Sequence, residues 1–161
     1  MLWVALLSRA VAGEPPEVLP ALDSEGYWSG RMVVPVSVAA VSALVEDPLV
    51  AARYSPDITS TEYLTRGACD TLRAETGGTI PVSYDYTRCR TVDGWKETLL
   101  QSKFLSTYEV RWHFTPVSQG TQVDYGVKID THFPTPDFLF ARQMKNAITT
   151  ILGLVYHKAT Q

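Results

Sequence analysis

The sequence lacks the features that mark membrane-spanning, nucleic-acid-binding and nucleotide-binding chains. None of its 161 residues lies in an apolar run of about eighteen or more, so it predicts no transmembrane segment. Acidic and basic residues are mixed along the chain and sum to a net charge of -3, without the clustered basic face of a nucleic-acid surface. Glycine-rich phosphate loops, zinc-ligand spacings and nucleophile elbows are absent as well. We therefore expect neither a nucleic-acid partner nor a cofactor.

Cysteine is scarce, and both cysteines fall in one stretch, CDTLRAETGGTIPVSYDYTRC, from Cys69 to Cys89. A metal site needs partner histidines that this stretch lacks, and a redox pair usually has two-residue spacing at a helix start. A hairpin centred on GGTIP places Cys69 opposite Cys89, near disulfide distance. We predict a disulfide that staples the hairpin; two free thiols are the alternative. The same register opposes complementary residues on both faces: Asp70 and Arg88, Thr71 and Thr87, Leu72 and Tyr86, Arg73 and Asp85, Ala74 and Tyr84.

The first residues depart from globular patterning. Residues 2–7 form an apolar run, and Ala10-Val11-Ala12 fits the small-residue rule for signal-peptidase cleavage. We interpret residues 1–12 as a signal peptide with an incomplete front end, because no basic residue precedes the apolar run; an amphipathic turn packed on the domain is the alternative. Residues 13–28, rich in proline and acids, then form a leader or linker. Because a disulfide needs an oxidising compartment, we expect an exported protein, periplasmic or extracellular.

The patterning changes twice along the rest of the chain. After a strand near residues 30–36, SVAAVSALVEDP has apolar residues at helical spacing with Ser37 as N-cap, and a second short helix follows, ended by Pro56. From residue 57 the period becomes that of strands, interrupted by turn signals. The predicted strands lie near residues 58–65, 69–76, 82–91, 95–101, 105–116 and 121–131.

Complementarity also predicts the register of the last hairpin, whose turn contains SQG. The outer face would pair Glu109 with Lys128 and His113 with Asp124, so opposite charges meet there. The inner face would pair apolar residues throughout: Tyr108 with Ile129, Val110 with Val127, Trp112 with Tyr125, and Phe114 with Val123.

The final segment, TPDFLFARQMKNAITTILGLVYHKATQ, predicts one long amphipathic helix. We expect Thr135 as its N-cap, Pro136 in its first position and Asp137 near the positive end of the helix dipole. The arc that would lie against a sheet comprises Phe140, Met144, Ala147, Ile148, Ile151, Leu152, Leu154 and Val155.

Three stretches carry a family resemblance over residues 29–159. VVPVSVAAVSALVEDP, RWHFTPVSQGTQVDYGVKID and PTPDFLFARQMKNAITTILGLV resemble the opening, the late hairpin and the terminal helix of the START-like superfamily, also called the SRPBCC or polyketide cyclase and lipid-transport group. The resemblance implies an α+β helix-grip fold: a curved antiparallel sheet of about seven strands wrapped around the C-terminal helix, with two short helices after the first strand.

The resemblance further implies an apolar cavity between the sheet and the helix, which relatives use for lipids, sterols, polyketides or other hydrophobic ligands. Aromatic side chains with polar tips suit such a lining. A filled core with an aromatic inner face is the alternative. The expected lining residues are Tyr84, Tyr86, Tyr108, Trp112 and Tyr125 on the sheet, with Phe140 and Met144 on the helix.

Few charged residues are candidates for ligand chemistry. Arg88, opposite Asp70 on the inner face, could bind a carboxylate or phosphate head as a bidentate donor; an ion pair at the sheet rim is the alternative. The histidines do not form a set: His113 belongs to the outer face, His157 to a fraying helix end, and His132 to the region of the cavity mouth. No catalytic residue and no metal site are predicted.

Two classes of function follow, with a third held open. The first is an exported, monomeric carrier or binding module for a hydrophobic small molecule or lipid. The second is an enzyme of the cyclase or aromatase type acting in the same cavity, which would need a placed acid or base. The third is an envelope accessory module without a small-molecule ligand.

Overall fold

The computed structural model describes residues 15–52 and 57–161, so the predicted signal peptide and Pro56 lie outside the described residues. The described chain forms one antiparallel sheet with three helices, and the strand order is β1-β2-β8-β7-β6-β5-β4-β3. The strands are β1 (Ala21–Leu22), β2 (Trp28–Val34), β3 (Ile58–Thr65), β4 (Cys69–Thr76), β5 (Ser83–Thr91), β6 (Gly94–Ser102), β7 (Leu105–Val117) and β8 (Gly120–Thr131). The helices are α1 (Val38–Glu46), α2 (Pro48–Ala52) and α3 (Asp137–Ala159).

Both predicted hairpin registers are confirmed. In β4–β5, Leu72 pairs with Tyr86 and Arg73 with Asp85, as the sequence complementarity predicted. In β7–β8, Trp112 pairs with Tyr125, again as predicted. The β7–β8 turn requires a glycine, because Gly120 has a φ of 138° and a Cβ there would lie 2.1 Å from the Val34 carbonyl oxygen.

The predicted disulfide is present. Cys69 and Cys89 are directly opposed in β4–β5, their Cα atoms lie 4.4 Å apart, and a disulfide joins them. This separation is typical of a cross-strand pair that does not exchange backbone hydrogen bonds. The bond joins the start of β4 to the last part of β5, and Arg88 precedes Cys89 on β5.

Reduction of this disulfide is expected to lower the free energy of unfolding by about 3 kcal/mol, because the oxidised form restricts a loop of this length in the unfolded chain. Urea unfolding with and without reductant measures the change. The double variant Cys69→Ala, Cys89→Ala should show the lower stability under both conditions. Equal midpoints for the oxidised and reduced wild-type protein would contradict the expectation.

The sheet has one strand more than the sequence predicted, and it begins before residue 29. β1 pairs with β2 inside the segment predicted as a leader, and β2 starts at Trp28. Between them, the Asp23 carboxylate accepts hydrogen bonds from the backbone N–H groups of Glu25 and Tyr27, and it pairs with Arg111 of β7. A two-residue strand shows no period, so its turn and ion pair could not be predicted from patterning.

The short helices follow their local signals. Ser37 caps α1, since its hydroxyl accepts a hydrogen bond from the Ala40 N–H, as predicted. Val41 and Val45 are the buried residues of α1. α2 begins at Pro48, where the missing backbone N–H costs no helical hydrogen bond.

The long helix begins one residue later than predicted. Pro136, with non-helical backbone angles, is the N-cap, and its carbonyl accepts hydrogen bonds from the N–H groups of Leu139 and Phe140. The predictions of Thr135 as the cap and Pro136 as the first helical residue were wrong. The C-terminal half of α3 packs on β2, where Gly30 admits Ile148 and Leu152. A Cβ at Gly30 would lie 2.6 Å from the Ile148 Cγ2 atom, so this close packing depends on glycine.

Candidate functional site

A cavity of about 250 Å³ lies between the inner face of the sheet and the middle of α3. The helix contributes Met144, Ala147 and Ile151 to its wall, and Pro48 and Ala52 of α2 close one side. Ile58, Thr76 and Val82 lie at the sheet end beside the start of α3. The sheet side of the wall is formed by Tyr84, Tyr86, Glu97, Leu105, Tyr108, Val110, Trp112, Tyr125, Val127 and Ile129.

The aromatic lining predicted from the sequence largely meets at this cavity. Tyr84 and Tyr86 each pack on Tyr108, with ring centroids 4.7 Å and 5.5 Å apart. Trp112 packs on Tyr125, with centroids 4.5 Å apart. All five residues share the inner face of the sheet, where alternate side chains point the same way. Trp112 and Tyr125 are directly opposed in β7–β8, whereas Tyr84 and Tyr86 of β5 reach Tyr108 of β7 across β6. Met144 faces them from α3.

Phe140, which was predicted to line the cavity, does not. It lies by a separate groove of about 220 Å³ between the end of β8 and the start of α3, together with Phe133 and Ile129. The first turn of α3 is largely exposed, with Phe138 at 74% and Leu139 at 43% exposure. Sequence periodicity places a residue on a helix face, but it does not show how far the sheet extends beneath that face.

Arg88 also lies outside the cavity wall, and its partners differ from the predicted ones. Its side chain is 1% exposed, so the alternative interpretation, an exposed ion pair at the sheet rim, is wrong. Asp70 is opposite Arg88 in register, but its carboxylate accepts a hydrogen bond from the Gly67 N–H. The Arg88 guanidinium instead donates to the carbonyls of Val45 and Glu46, at the end of α1.

Two further residues hold Arg88 in place. Its guanidinium carbon lies 4.1 Å from the ring centroid of Trp95, a cation–π contact. Its Nε atom lies 3.3 Å from a carboxylate oxygen of Glu97, close enough for an ion pair although the angles do not make a hydrogen bond. Arg88 is therefore the counter-ion of a buried carboxylate and a cap for α1.

Glu97 is the functional candidate that the sequence reasoning missed. It lines the cavity, its side chain is 11% exposed, and its second carboxylate oxygen accepts a hydrogen bond of 2.6 Å from the Tyr108 hydroxyl. Burial raises the pKa of Glu97, while the positive charge of Arg88 and the Tyr108 hydrogen bond lower it. Glu97 is two residues from Trp95 and from Leu99 along β6, so it shares a face with these two apolar residues. This spacing was the available signal for an inward-facing acid.

The tyrosine hydroxyls of the cavity stay protonated at neutral pH. Burial is the main cause that raises the pKa values of Tyr84, Tyr86, Tyr108 and Tyr125, and the nearby charge of Glu97 adds to the shift. These residues therefore offer hydroxyl groups that can donate or accept hydrogen bonds. The cavity combines an apolar wall with several neutral hydroxyls and two acidic residues, the buried Glu97 and the exposed Asp57.

The histidines lie apart from this cavity. His113 is opposite Asp124 in register, as predicted, but its Nδ1 atom lies 2.8 Å from Asp93, and Asp124 pairs with Arg31. His132 and His157 are exposed. Within residues 15–52 and 57–161, no three acidic, histidine or cysteine side chains come together as a metal site, and none of the helices is long and apolar enough to span a membrane.

Solved structures resemble this chain in fold. A START superfamily protein from Mycobacterium smegmatis superposes with a TM-score of 0.71 at 13% identity, over 83% of this chain and 96% of that one. An aromatase/cyclase from a Streptomyces species gives 0.62 at 15% identity, over 83% and 90%. A STAR-related lipid transfer protein fragment from Xanthomonas axonopodis gives 0.65 at 15% identity, over 89% and 99%.

These similarities establish the START-like helix-grip fold that the sequence motifs predicted. No family model matches the sequence, and no curated protein is significantly similar to it in sequence. Since the structural neighbours include both a lipid transfer protein and an aromatase/cyclase, the fold by itself does not choose between binding and catalysis.

Proposed function

We propose that this protein is an exported carrier or binding module that holds a small hydrophobic ligand between its sheet and α3. The observation that carries the proposal is the cavity of about 250 Å³, whose wall is mostly apolar and includes Glu97 and several tyrosine side chains. Ligand sites in proteins commonly have this composition: an apolar lining with a few polar groups that orient the ligand. As a single-chain module it would need no partner subunit to complete the cavity, because one chain supplies every wall named above.

The disulfide supports the exported location. Structural disulfides form and persist in oxidising compartments, and the bond between Cys69 and Cys89 joins the two strands of a hairpin. The cleavage motif at Ala10-Val11-Ala12 agrees with export on sequence grounds.

A cyclase-type activity is the second candidate, and Glu97 is the observation that favours it. A buried carboxyl with a raised pKa beside a tyrosine hydroxyl is the kind of group that can move a proton. A carrier releases its ligand chemically unchanged, whereas an enzyme returns a product. Mass analysis of a ligand after incubation with the protein therefore distinguishes the two.

Titration with N-phenylnaphthylamine, an uncharged fluorophore that brightens in apolar surroundings, tests the carrier proposal. We expect saturable binding with one site per chain, because a cavity of about 250 Å³ has room for one small ligand. The exposed aromatic groups near Phe133 would give weak binding without saturation. Fluorescence that rises linearly with probe concentration would contradict the proposal.

A further inference from the structure

The polar end of the cavity has a balanced charge. Glu97 presents part of its carboxylate to the cavity, and Arg88 stands directly behind it, with a side chain only 1% exposed. The Arg88 guanidinium is already engaged by Glu97, Trp95 and two backbone carbonyls of α1. A bound ligand therefore meets an acceptor whose charge is compensated, and it cannot reach the compensating cation.

This arrangement discriminates among the heads that an apolar ligand can carry. A carboxylate or phosphate would place a second negative charge against Glu97, with no free cation to pair it. An ammonium group would add an unbalanced positive charge next to the compensated pair. A neutral hydroxyl leaves the charge balance unchanged and donates a hydrogen bond to the carboxylate.

Glu97 has room for that hydrogen bond. An ionised carboxylate has about four acceptor positions, and among the described residues the Tyr108 hydroxyl is the one hydrogen-bond donor to Glu97. Tyr84, Tyr86 and Tyr125 line the same cavity and can donate to the ligand oxygen in turn. A hydroxyl, which both donates and accepts, can use both kinds of partner.

We propose that the cavity selects small apolar molecules that end in a neutral hydroxyl, an alcohol or a phenol, with Glu97 as the acceptor that orients this group. This inference rests on the proposed binding function and replaces Arg88 with Glu97 as the residue that recognises the ligand head. The cavity volume lies just below the usual range for ligand sites, which favours a single short chain or a small ring system.

A series of ligands that share one long alkyl chain and differ in the head group tests the proposal. Decanol, decyl methyl ether, decanoate and decylamine each compete with N-phenylnaphthylamine for the wild-type protein at neutral pH. We expect decanol to bind at least about tenfold more tightly than each of the others, since the hydrogen bond to a charged acceptor is lost or opposed in them. The ether separates hydrogen-bond donation from hydrophobicity, because it is more apolar than decanol but cannot donate.

Each outcome decides a different statement. Equal or tighter binding of the ether, decanoate or decylamine overturns the head-group proposal while the cavity still binds apolar ligands. A folded protein that binds neither the fluorophore nor any of the four ligands overturns both the binding function and the head-group proposal.

The variant Glu97→Gln provides a second readout. It leaves Arg88 without a counter-ion, so decanoate is expected to gain at least about tenfold in affinity while decanol loses its advantage. Glu62→Gln, which removes an exposed carboxylate on β3, is the matched control and should leave the whole series unchanged. An unaltered preference in a folded Glu97→Gln protein overturns the proposal; if this variant does not fold, the wild-type series decides alone.

Discussion

Replacing Arg88 by alanine is expected to lower the free energy of unfolding by about 3–5 kcal/mol, the largest loss of stability that we predict for this chain. The change leaves the buried Glu97 carboxylate without its counter-ion and removes the guanidinium that packs on Trp95. It also leaves the last carbonyls of α1 without their donor. Urea unfolding at neutral pH measures the difference.

A neighbouring arginine on the same strand provides the control. The Arg90 side chain is 63% exposed and lies 4.0 Å from Glu46, so Arg90→Ala should change stability by less than about 0.5 kcal/mol. Combining Arg88→Met with Glu97→Leu should recover much of the loss, because neither charge is then buried alone. A loss below about 1 kcal/mol for Arg88→Ala would mean that water reaches this pair.

The second large effect concerns the cavity itself. The variant Ala147→Trp is expected to weaken N-phenylnaphthylamine binding by at least about 30-fold, because Ala147 lines the cavity from α3 and an indole there occupies the ligand's space. A ligand would have to expel a buried aromatic ring before it could bind. The folded state should persist, since the added ring fills empty volume and does not displace packed side chains.

A tryptophan on the opposite side of the same helix is the control, because it adds the same side chain without filling the cavity. Thr149 is exposed on α3 and lies about 200° around the helix axis from Ala147, so Thr149→Trp should bind the fluorophore as the wild-type protein does. Full binding by a folded Ala147→Trp protein would place the fluorophore elsewhere, for example on the exposed apolar groups around Phe133 and Phe138.

The strands and hairpin registers could be predicted because their information is local. Alternation places each residue on a face, and complementary pairs such as Arg73 with Asp85 then select one register from its neighbours. The disulfide was predicted from the register centred on GGTIP, which opposes Cys69 and Cys89, and the complementary pairs supported that register. The same register also predicted part of the aromatic lining, because it places Tyr84 and Tyr86 on the face of β5 opposite to that of the cysteines.

The sequence predictions did not include the ion pair of Arg88 and Glu97, because they drew on the β4–β5 and β7–β8 registers and not on that of β5–β6. That register places Arg88 opposite Glu97 directly, so the same complementarity would have found the pair. The β4–β5 register, which places Asp70 opposite Arg88 from the other side, predicted Asp70 as its partner. Which of two opposed acids an arginine reaches depends on side-chain packing, and Trp95 and the end of α1 favour Glu97 here.

Other features depend on tertiary packing that no local pattern contains. Phe140 belongs to the apolar arc of α3, yet the cavity wall on the helix is built by Met144, Ala147 and Ile151. Whether a space is empty or filled depends on the summed volumes of side chains from separate elements, so a cavity and a solid core have the same sequence pattern.

A crystal structure of the protein with N-phenylnaphthylamine is the most direct test of ligand binding between the sheet and α3. We predict electron density for the fluorophore between the tyrosines of the sheet and α3, in contact with Tyr108, Met144 and Ile151. Density confined to the outer surface, with side chains filling the space beside Glu97, would contradict it.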